Sequence, residues 1–309
     1  MEYGQLVTNW SDFLPAWRLP PNLRFETELR DTEIPVTKKL VKRYSDGTSH
    51  IGAYVGSNQG VKSHDEFFGE VIKSLLVKFN QEDRMKTEIK WSSCYNDLFV
   101  VMDMRFPTVC NKFTWQDQNW EKSLRLIIVR SINGKASTSA FFGDIDWFCM
   151  NTLISGNFQS IRERNTTNFN PISFANKIPE LKNKFLENAF IEQEYTKIPV
   201  KDQALNRLFN DFFPDETNDK GEQKKNLKKK EFFDLYDAES KERGETLYSV
   251  MSTFSRYSAH KPLRNTKSTQ KWTTKAFRDH QREIEVQKMM ASTQWYDFLQ
   301  YHSAPIYQH

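Results

Sequence analysis

Residues 122–145, KSLRLIIVRSINGKASTSAFFGDI, decide the fold class of this chain. The segment begins with a short β-prone run, and Asn133–Gly134 then forms the dipeptide that most strongly favours a tight hairpin turn. A second β-prone run, 135–145, follows the turn directly. The stretch therefore predicts two antiparallel strands joined by a hairpin.

Upstream segments extend this hairpin into a sheet and add a helix. The runs MKTEIKWSSCY (85–95) and NDLFVVMDMRF (96–106) predict two strands that pair through a turn near Tyr95–Asp97. Before them, VTKKLVKRY and SHIGAYVGS are β-prone runs on either side of SDGT, a turn signal. Between these two pairs, residues 64–79 repeat apolar residues at helical spacing, with Ser63 or His64–Asp65 placed to start the helix.

Downstream of the hairpin, the pattern becomes helical. After Gly143, the run DIDWFCMNTLIS predicts a second helix with Asp144 as its cap. The order β-β-α-β-β-β-β-α predicts an α+β fold, an antiparallel sheet with helices on one face, followed by a helical C-terminal region. The predicted parts are an N-terminal arm (1–35), an α+β core domain (36–175), a helical segment (176–213), a flexible Lys-rich loop (214–230) and a C-terminal helical region packed on the core (231–309).

Composition limits the class of protein. The chain has 309 residues, 38% hydrophobic and 14% aromatic, which is enough to bury a core and excludes global disorder. The 44 basic and 40 acidic residues leave a net charge of +4, which permits nucleic-acid binding without requiring it. Cys94, Cys110 and Cys149 have no metal-site spacing, so reduced thiols in a cytoplasmic protein are expected. No signal peptide opens the chain and no apolar run approaches the roughly 18 residues of a membrane span, so no membrane partner is expected.

The sequence lacks the motifs of catalytic, cofactor and metal sites. Neither G-x-x-x-x-G-K-[ST] nor G-x-G-x-x-G occurs, so no cofactor is expected. The histidines lack metal-ligand spacing, and Cys149 lies in an apolar run that favours an inert thiol. Asp144 and Asp146 could hold a divalent ion, and with Glu163 they define one alternative, a metal-dependent nuclease. The leading expectation is a binding protein rather than an enzyme.

Basic residues interleaved with aromatic residues give the main functional prediction. Such clusters provide phosphate neutralisation and base stacking, the two requirements of single-strand binding. One cluster lies in the first predicted strand, one follows the sheet, and one surrounds the 261–271 loop. The candidate nucleic-acid contacts are Lys38, Lys39, Lys42, Arg43, Tyr44, Arg162, Arg164, Arg256, Tyr257, His260, Lys261 and Arg264.

Several segments, taken in order, resemble a known family. They are RYSDGTSHIGAYVGSNQGVKSHDEFF (43–68), SLRLIIVRSINGKAST (123–138), IDWFCMNTL (145–153), IRERNTTNF (161–169) and GETLYSVMSTFSRYSAHKPLRN (244–265). The ordered set resembles the phage- and plasmid-like DUF932 family of unknown function across most of the chain. The resemblance implies a bacteriophage or plasmid origin and supplies no mechanism.

The order of elements is also similar to the core of the single-strand annealing recombinases, the superfamily that contains RecT and Redβ. That likeness of layout implies an oligomeric phage protein that binds and anneals single-stranded nucleic acid, with DNA as the expected form, without a nucleotide cofactor. A second expectation is a phage structural or protein-interaction component whose aromatic N-terminal arm docks on a neighbouring subunit. The sequence leaves both open.

Overall fold

The structure is a computed structural model that describes most of the chain. The described residues are 18–76, 79–115, 118–146, 151–153, 161–178, 190–217, 223–260 and 275–306. Residues 1–17 of the predicted N-terminal arm lie outside them, as do the predicted contacts Lys261 and Arg264.

The strands, in chain order, are β1 (Glu26–Asp31), β2 (Thr37–Arg43), β3 (Ser49–Gly56), β4 (Glu88–Cys94), β5 (Phe99–Trp115), β6 (Gln118–Ser131), β7 (Thr138–Asp146), β8 (Asn151–Leu153), β9 (Ile161–Glu163), β10 (Glu216–Thr217) and β11 (Gln223–Lys224). A small sheet has the order β1–β2–β3, and a large sheet has the order β4–β5–β6–β7–β8, with β9 also paired to β7. All of these pairs are antiparallel. The predicted α+β class is confirmed, but the strands form two principal sheets where the sequence predicted one.

The helices begin with a 3-10 turn at Pro21–Leu23 and continue as α1 (His64–Leu76), α2 (Gln81–Lys86), α3 (Pro171–Asn176), α4 (Asp202–Phe212), α5 (Leu227–Arg243), α6 (Leu247–His260), α7 (Lys275–Met290) and α8 (Thr293–Tyr301). The N-terminus of α1 has a capping box: Ser63 Oγ accepts from Glu66 N at 3.2 Å, and Glu66 Oε2 accepts from Ser63 N at 2.8 Å. The helix start predicted at Ser63–Asp65 is confirmed.

The central strands of the large sheet, β5 and β6, have buried side chains on both faces, whereas β4 is partly exposed. Alternate side chains of β5 and β6, including Met102, Met104 and Ile128, pack with α1 and α3 in the largest core cluster. The other face contributes Phe99, Val129 and their neighbours to a second cluster, against which Ile284 of α7 packs. Because the run LIIV in β6 is apolar on both faces, helices cover both sides rather than the one side that the sequence predicted.

Three local predictions are corrected by the structure. The helix expected to start at Asp144 is strand: β7 continues to Asp146, and Asp144 pairs with Leu124 and Leu153. The predicted arm contributes β1, which pairs with β2 along its whole length. The predicted Lys-rich loop contains β10 and β11, and Lys228 to Lys230 lie in the first turn of α5, where Asn226 Oδ1 accepts from Lys228 N at 3.0 Å.

The C-terminal helices have a core of their own. Phe209, Phe232, Phe254 and Trp295 belong to this cluster, which is separate from the clusters of the two sheets. Buried ion pairs connect the cluster to the large sheet: Lys122 Nζ lies 2.8 Å from Glu192 Oε2, and Arg125 Nη1 lies 2.7 Å from Glu283 Oε1. The helical region is therefore attached to the sheet by charge as well as by apolar contacts.

The loop after β9 is fixed to the segment that follows β3. Asn165 Nδ2 donates to Gly60 O at 3.0 Å and to Ser131 O at 3.2 Å, while its Oδ1 accepts from Arg130 Nη1 at 3.2 Å. Arg130 is fully buried, and this burial lowers its pKa to about 9. Gly60 N donates to Asn165 O at 2.9 Å. This connection brings residues 58–60 and 164–167 side by side.

Gly60→Ala should lower the free energy of unfolding by about 1–3 kcal/mol, the usual cost of overpacking a closely packed position. A Cβ atom at residue 60 would clash with Thr166 O and lie 2.8 Å from the carbonyl carbon of Thr166. Since both atoms are backbone, neither can move without breaking the bonds to Asn165. Urea unfolding measures the effect, with Gly56→Ala as the control because a Cβ there meets nothing within 4 Å. Equal stability of the two variants would contradict this account of the loop.

Candidate nucleic-acid interface

The small sheet has one packed face and one face that is largely exposed, although Val41 on that second face is only 4% exposed. Leu40 and Val55 pack on Leu98 and Ile132. The side chains of Ile51 and Tyr54 point the other way and are 55% and 61% exposed. We call this second side the outer face; its residues are Glu26, Glu28, Arg30, Lys39, Val41, Arg43, Ser49, Ile51 and Tyr54.

The strand register places cations and an aromatic ring in one row of the outer face. Arg30 is opposite Lys39, and Lys39 is opposite Tyr54. Directly opposed residues of antiparallel strands share a face, with Cβ atoms about 5 Å apart. A row of two cations and a tyrosine therefore crosses all three strands, and Arg43 lies in a parallel row between Glu26 and Ser49.

A β-bulge gives the outer face its composition. The register shifts between Leu40 and Val41, so that Gly52 is an extra residue in β3. Gly52 lies against Leu98, where an added Cβ would come within 2.9 Å of Leu98 Cδ1. Because of the extra residue, Ile51 and Tyr54 share the outer face although they are three positions apart.

Two of the three cations on the outer face are paired with one carboxylate. Glu28 accepts from Arg30 at 3.2 Å and from Arg43 at 2.7 Å. The hydrogen bond from Arg30 lowers the pKa of Glu28 below its ordinary value, so this carboxylate is ionised at neutral pH. Among the described residues, Lys39 makes no ion pair. Against Glu26 and Glu28, the three cations leave the outer face with a net charge of +1.

The structure separates the five residues predicted around β2. Lys39 and Arg43 reach the outer face, whereas Lys38 points to the packed side and pairs with Asp31. Lys42 is only 5% exposed; its Nζ donates to Tyr44 Oη and Asn96 O, both at 2.8 Å, and lies 4.9 Å from the centre of the Phe25 ring. Lys42 is therefore a buried structural residue, and the prediction that it contacts phosphate is wrong. Tyr44 is half-buried at the end of β2.

Arg162 lies in β9, and Arg164 lies in the loop that follows it, which is fixed to the segment after β3. Both are exposed, and Arg162 pairs with Ser139 of β7 through β9. The bridge between Gln59 and Thr166, and the bond from Thr167 N to Asn58 O at 3.3 Å, hold this loop beside the end of β3. Two basic clusters that are about 120 residues apart in sequence thus belong to neighbouring segments.

The third predicted cluster is mostly structural where the structure describes it. Tyr257 is 4% exposed and its hydroxyl donates to Glu285 at 3.2 Å, so the ring is not available for base stacking, and that prediction is wrong. Arg256 Nη1 donates to Glu239, a fully buried carboxylate, at 2.8 Å. His260 ends α6, and its side chain lies outside the described residues together with Lys261 and Arg264.

Sequence reasoning missed Arg30 and Tyr54. Arg30 belongs to a segment read as an arm, and the acids of ETELRD obscured its strand pattern. Tyr54 was quoted in a β-prone run, but its face depends on the bulge at Gly52. The available signal was the alternation of Arg30 with Glu28 and Glu26, which marks one face of a strand.

The described residues contain neither a cluster of potential metal ligands nor a helix that could span a membrane. No group of three or more His, Cys, Asp or Glu is placed there to hold a metal ion. The side chains of Asp144 and Asp146, the predicted carboxylate pair, lie outside the described residues. None of the described helices is both long enough and apolar enough to cross a membrane.

Sequence comparison assigns the family. The profile of the Domain of unknown function (DUF932) matches residues 108–289, more than half of the chain. The chain belongs to the DUF932 family. The DUF932 segment includes Arg162, Arg164 and the C-terminal cluster, whereas the outer face of the small sheet precedes it. No curated protein and no solved structure matches the chain.

Proposed function

We propose that this protein binds single-stranded nucleic acid, with DNA as the expected ligand, on the outer face of the small sheet. The observation that carries the proposal is the cross-strand row Arg30–Lys39–Tyr54 on a face that is open to solvent. Cations neutralise phosphates without regard to sequence, and an exposed ring stacks on any unpaired base. The two groups stand side by side, as a backbone and its attached base require.

The geometry favours a single strand over a duplex. In a duplex the bases stack on one another, so the ring of Tyr54 has no exposed base to contact. A modest excess of positive charge also differs from the strong bias of dedicated duplex binders. Phosphates of a bound strand would replace Glu28 as the partner of Arg30 and Arg43, which makes binding an exchange of ion pairs.

We further propose that the protein acts in the cytoplasm, is of phage or plasmid origin, and anneals single strands as a homo-oligomer without a nucleotide cofactor. Strand binding through backbone charge and non-specific stacking is consistent with this role. Arg162 in β9 and Arg164 in the loop that follows it would extend the bound path from one sheet to the other. A strand-pairing assay on two complementary oligonucleotides tests annealing once binding is established.

The test of binding is fluorescence anisotropy of a labelled single-stranded oligonucleotide at low and moderate salt, with unlabelled duplex as competitor. We expect salt-sensitive binding that the duplex does not displace. Tyr54→Ala should weaken binding by about 1–3 kcal/mol, the usual contribution of one stacked base. The control is Tyr301→Ala, because Tyr301 is an aromatic residue on α8 that is 52% exposed. Phe79→Ala would not serve, because that ring is buried. Absence of binding at low salt would exclude the proposed function.

One observation favours a second candidate function, a protein-interaction component. Ile34 and Val36, in the turn between β1 and β2, are 59% and 71% exposed. Two exposed apolar side chains in one turn offer a small surface for contact with another protein. If this function is correct, the protein assembles without nucleic acid, and Ile34→Ser with Val36→Ser reduces the assembled fraction in sedimentation.

A further inference from the structure

A cleft lies at one end of the outer face, between the small sheet and the N-terminus of α1. Its volume is about 580 Å³, within the range of sites that hold small ligands. Glu26 and Arg43 line the cleft and also belong to the outer face. The outer face and the cleft therefore share two lining residues.

Tyr44 provides an aromatic wall of fixed orientation. Its ring packs against Phe25 and His50 in T-shaped contacts, with ring centres 5.8 Å and 6.0 Å apart. Its hydroxyl accepts from Lys42 Nζ at 2.8 Å. The side chain is only half-buried and lines the cleft. A ring that is already held in place loses little conformational entropy when a base stacks on it.

Exposed carboxylates supply the polar recognition. Asp65 and Glu66, in the first turn of α1, line the cleft together with Glu26. The capping bond to Ser63 N fixes the carboxylate of Glu66. A carboxylate accepts hydrogen bonds from the exocyclic amino group of cytosine or adenine, whereas thymine presents a carbonyl oxygen at the matching position. The carboxylates also repel phosphate, so that a base rather than the backbone enters.

We infer that the cleft is a base-recognition subsite, which takes one unstacked base of a bound strand and prefers cytosine or adenine to thymine. The inference rests on the proposed function, because the strand must first bind on the outer face. Tyr44 stacks on the base, Asp65 and Glu26 accept from its amino group, and Arg43 contacts the adjoining phosphate. The site adds a compositional preference to a surface that otherwise binds any sequence.

The test compares oligo(dC) with oligo(dT) of equal length by fluorescence anisotropy. Both bases have the same pyrimidine ring, and the additional methyl group of thymine gives cytosine no advantage in stacking, so a preference for cytosine reports contacts to the base edge. We expect oligo(dC) to bind about tenfold more tightly, the lower part of the range for a good contact to a base edge. Asp65→Ala with Glu26→Ala should abolish the preference, while Glu88→Ala, an exposed acid of β4 outside the cleft, should keep it. Tyr44→Phe retains the ring and should retain the preference; Tyr44→Leu should lose it.

The outcomes separate this inference from the proposed function. Equal affinity for oligo(dC) and oligo(dT), with binding still weakened by Tyr54→Ala, would overturn the cleft and leave the outer face as the binding surface. A preference that survives the double substitution at Asp65 and Glu26 would also overturn the cleft. Failure of both oligonucleotides to bind would overturn the inference and the proposed function together.

Discussion

Replacement of Arg125 by methionine should lower the free energy of unfolding by about 3–5 kcal/mol, as expected when one partner of a buried charge network is removed. The Arg125 guanidinium donates to Asp103 Oδ1 at 2.8 Å and to Glu283 Oε1 at 2.7 Å. All three side chains are nearly inaccessible to solvent. The substitution leaves two carboxylates in a low-dielectric site with less positive charge to balance them. Urea unfolding followed by circular dichroism measures the loss.

The pH dependence of the Arg125→Met variant distinguishes lost charge pairing from lost packing. Burial raises the pKa of Asp103, but Arg125 and Arg105 outweigh it and hold the pKa below its ordinary value. In the native protein this pair therefore stabilises the fold above the ordinary pKa of aspartate, and the contribution is lost as pH falls through the lower, folded value. Without Arg125, burial dominates and raises the folded pKa, so the deficit of the variant should shrink as pH falls.

A surface ion pair provides the matched control for Arg125. Lys86 and Glu82 are exposed partners on α2, and Lys86→Met should leave stability unchanged within error. A variant at Arg125 that unfolds within 1 kcal/mol of the native protein, a margin about a third of the expected loss, would contradict the assignment of a desolvated network. The same result would contradict the attachment of α7 to the large sheet through charge.

Local features of the fold were predictable because their causes lie within a few residues. Gly134 and Gly47 adopt φ values of +74° and +85°, which the turns after Asn133 and Asp46 require, and both hairpins are confirmed. Helix α1 follows the apolar spacing at 64–79 that predicted it. In each case the signal and the structure it specifies occupy the same short segment.

The features that sequence reasoning missed depend on distant residues. Asp144 is a good helix cap in isolation, but its backbone pairs with Leu124, and the strand pairing prevails. The strand propensity of ETELRD is low, yet β2 supplies partners for its backbone and lysine and arginine side chains for its acids. The division of the strands into two sheets is a choice between alternative pairings, which no local pattern determines.

The sequence predicted which types of residue form the candidate site, but not which face of the sheet each side chain occupies. The sequence pointed to the basic run of β2, and Lys39 and Arg43 of that run do reach solvent on the outer face. Because side chains alternate along a strand, Lys42 lies on the packed side of β2. There its ammonium group donates to Asn96 O and lies over the ring of Phe25. Tyr54 joins the basic row only because Gly52 shifts the register by one residue, and such a bulge becomes visible only when strands are paired.

Simultaneous substitution of Arg30, Lys39 and Arg43 by alanine should reduce the affinity for single-stranded DNA by about 100-fold at moderate salt. Each phosphate contact contributes about 0.7 to the slope of log affinity against log salt concentration for a single strand. The slope of the variant should therefore be smaller by about 2, and its affinity should approach that of the native protein as salt is raised. Anisotropy titrations at four or more salt concentrations, on the order of 50–300 mM, measure both quantities.

The matched control for this triple variant removes equal charge from other surfaces. Lys112, Lys197 and Arg207 have side chains that are 74%, 58% and 80% exposed, and none belongs to the outer face. Their joint replacement by alanine changes net charge by the same amount but should leave the salt slope nearly unchanged, because long-range attraction is screened beyond about 10 Å. If both triple variants lose the same slope, binding follows overall charge rather than the row on the small sheet. If only the outer-face variant loses it, the phosphates lie along Arg30, Lys39 and Arg43, next to the ring of Tyr54 on which we expect a base to stack.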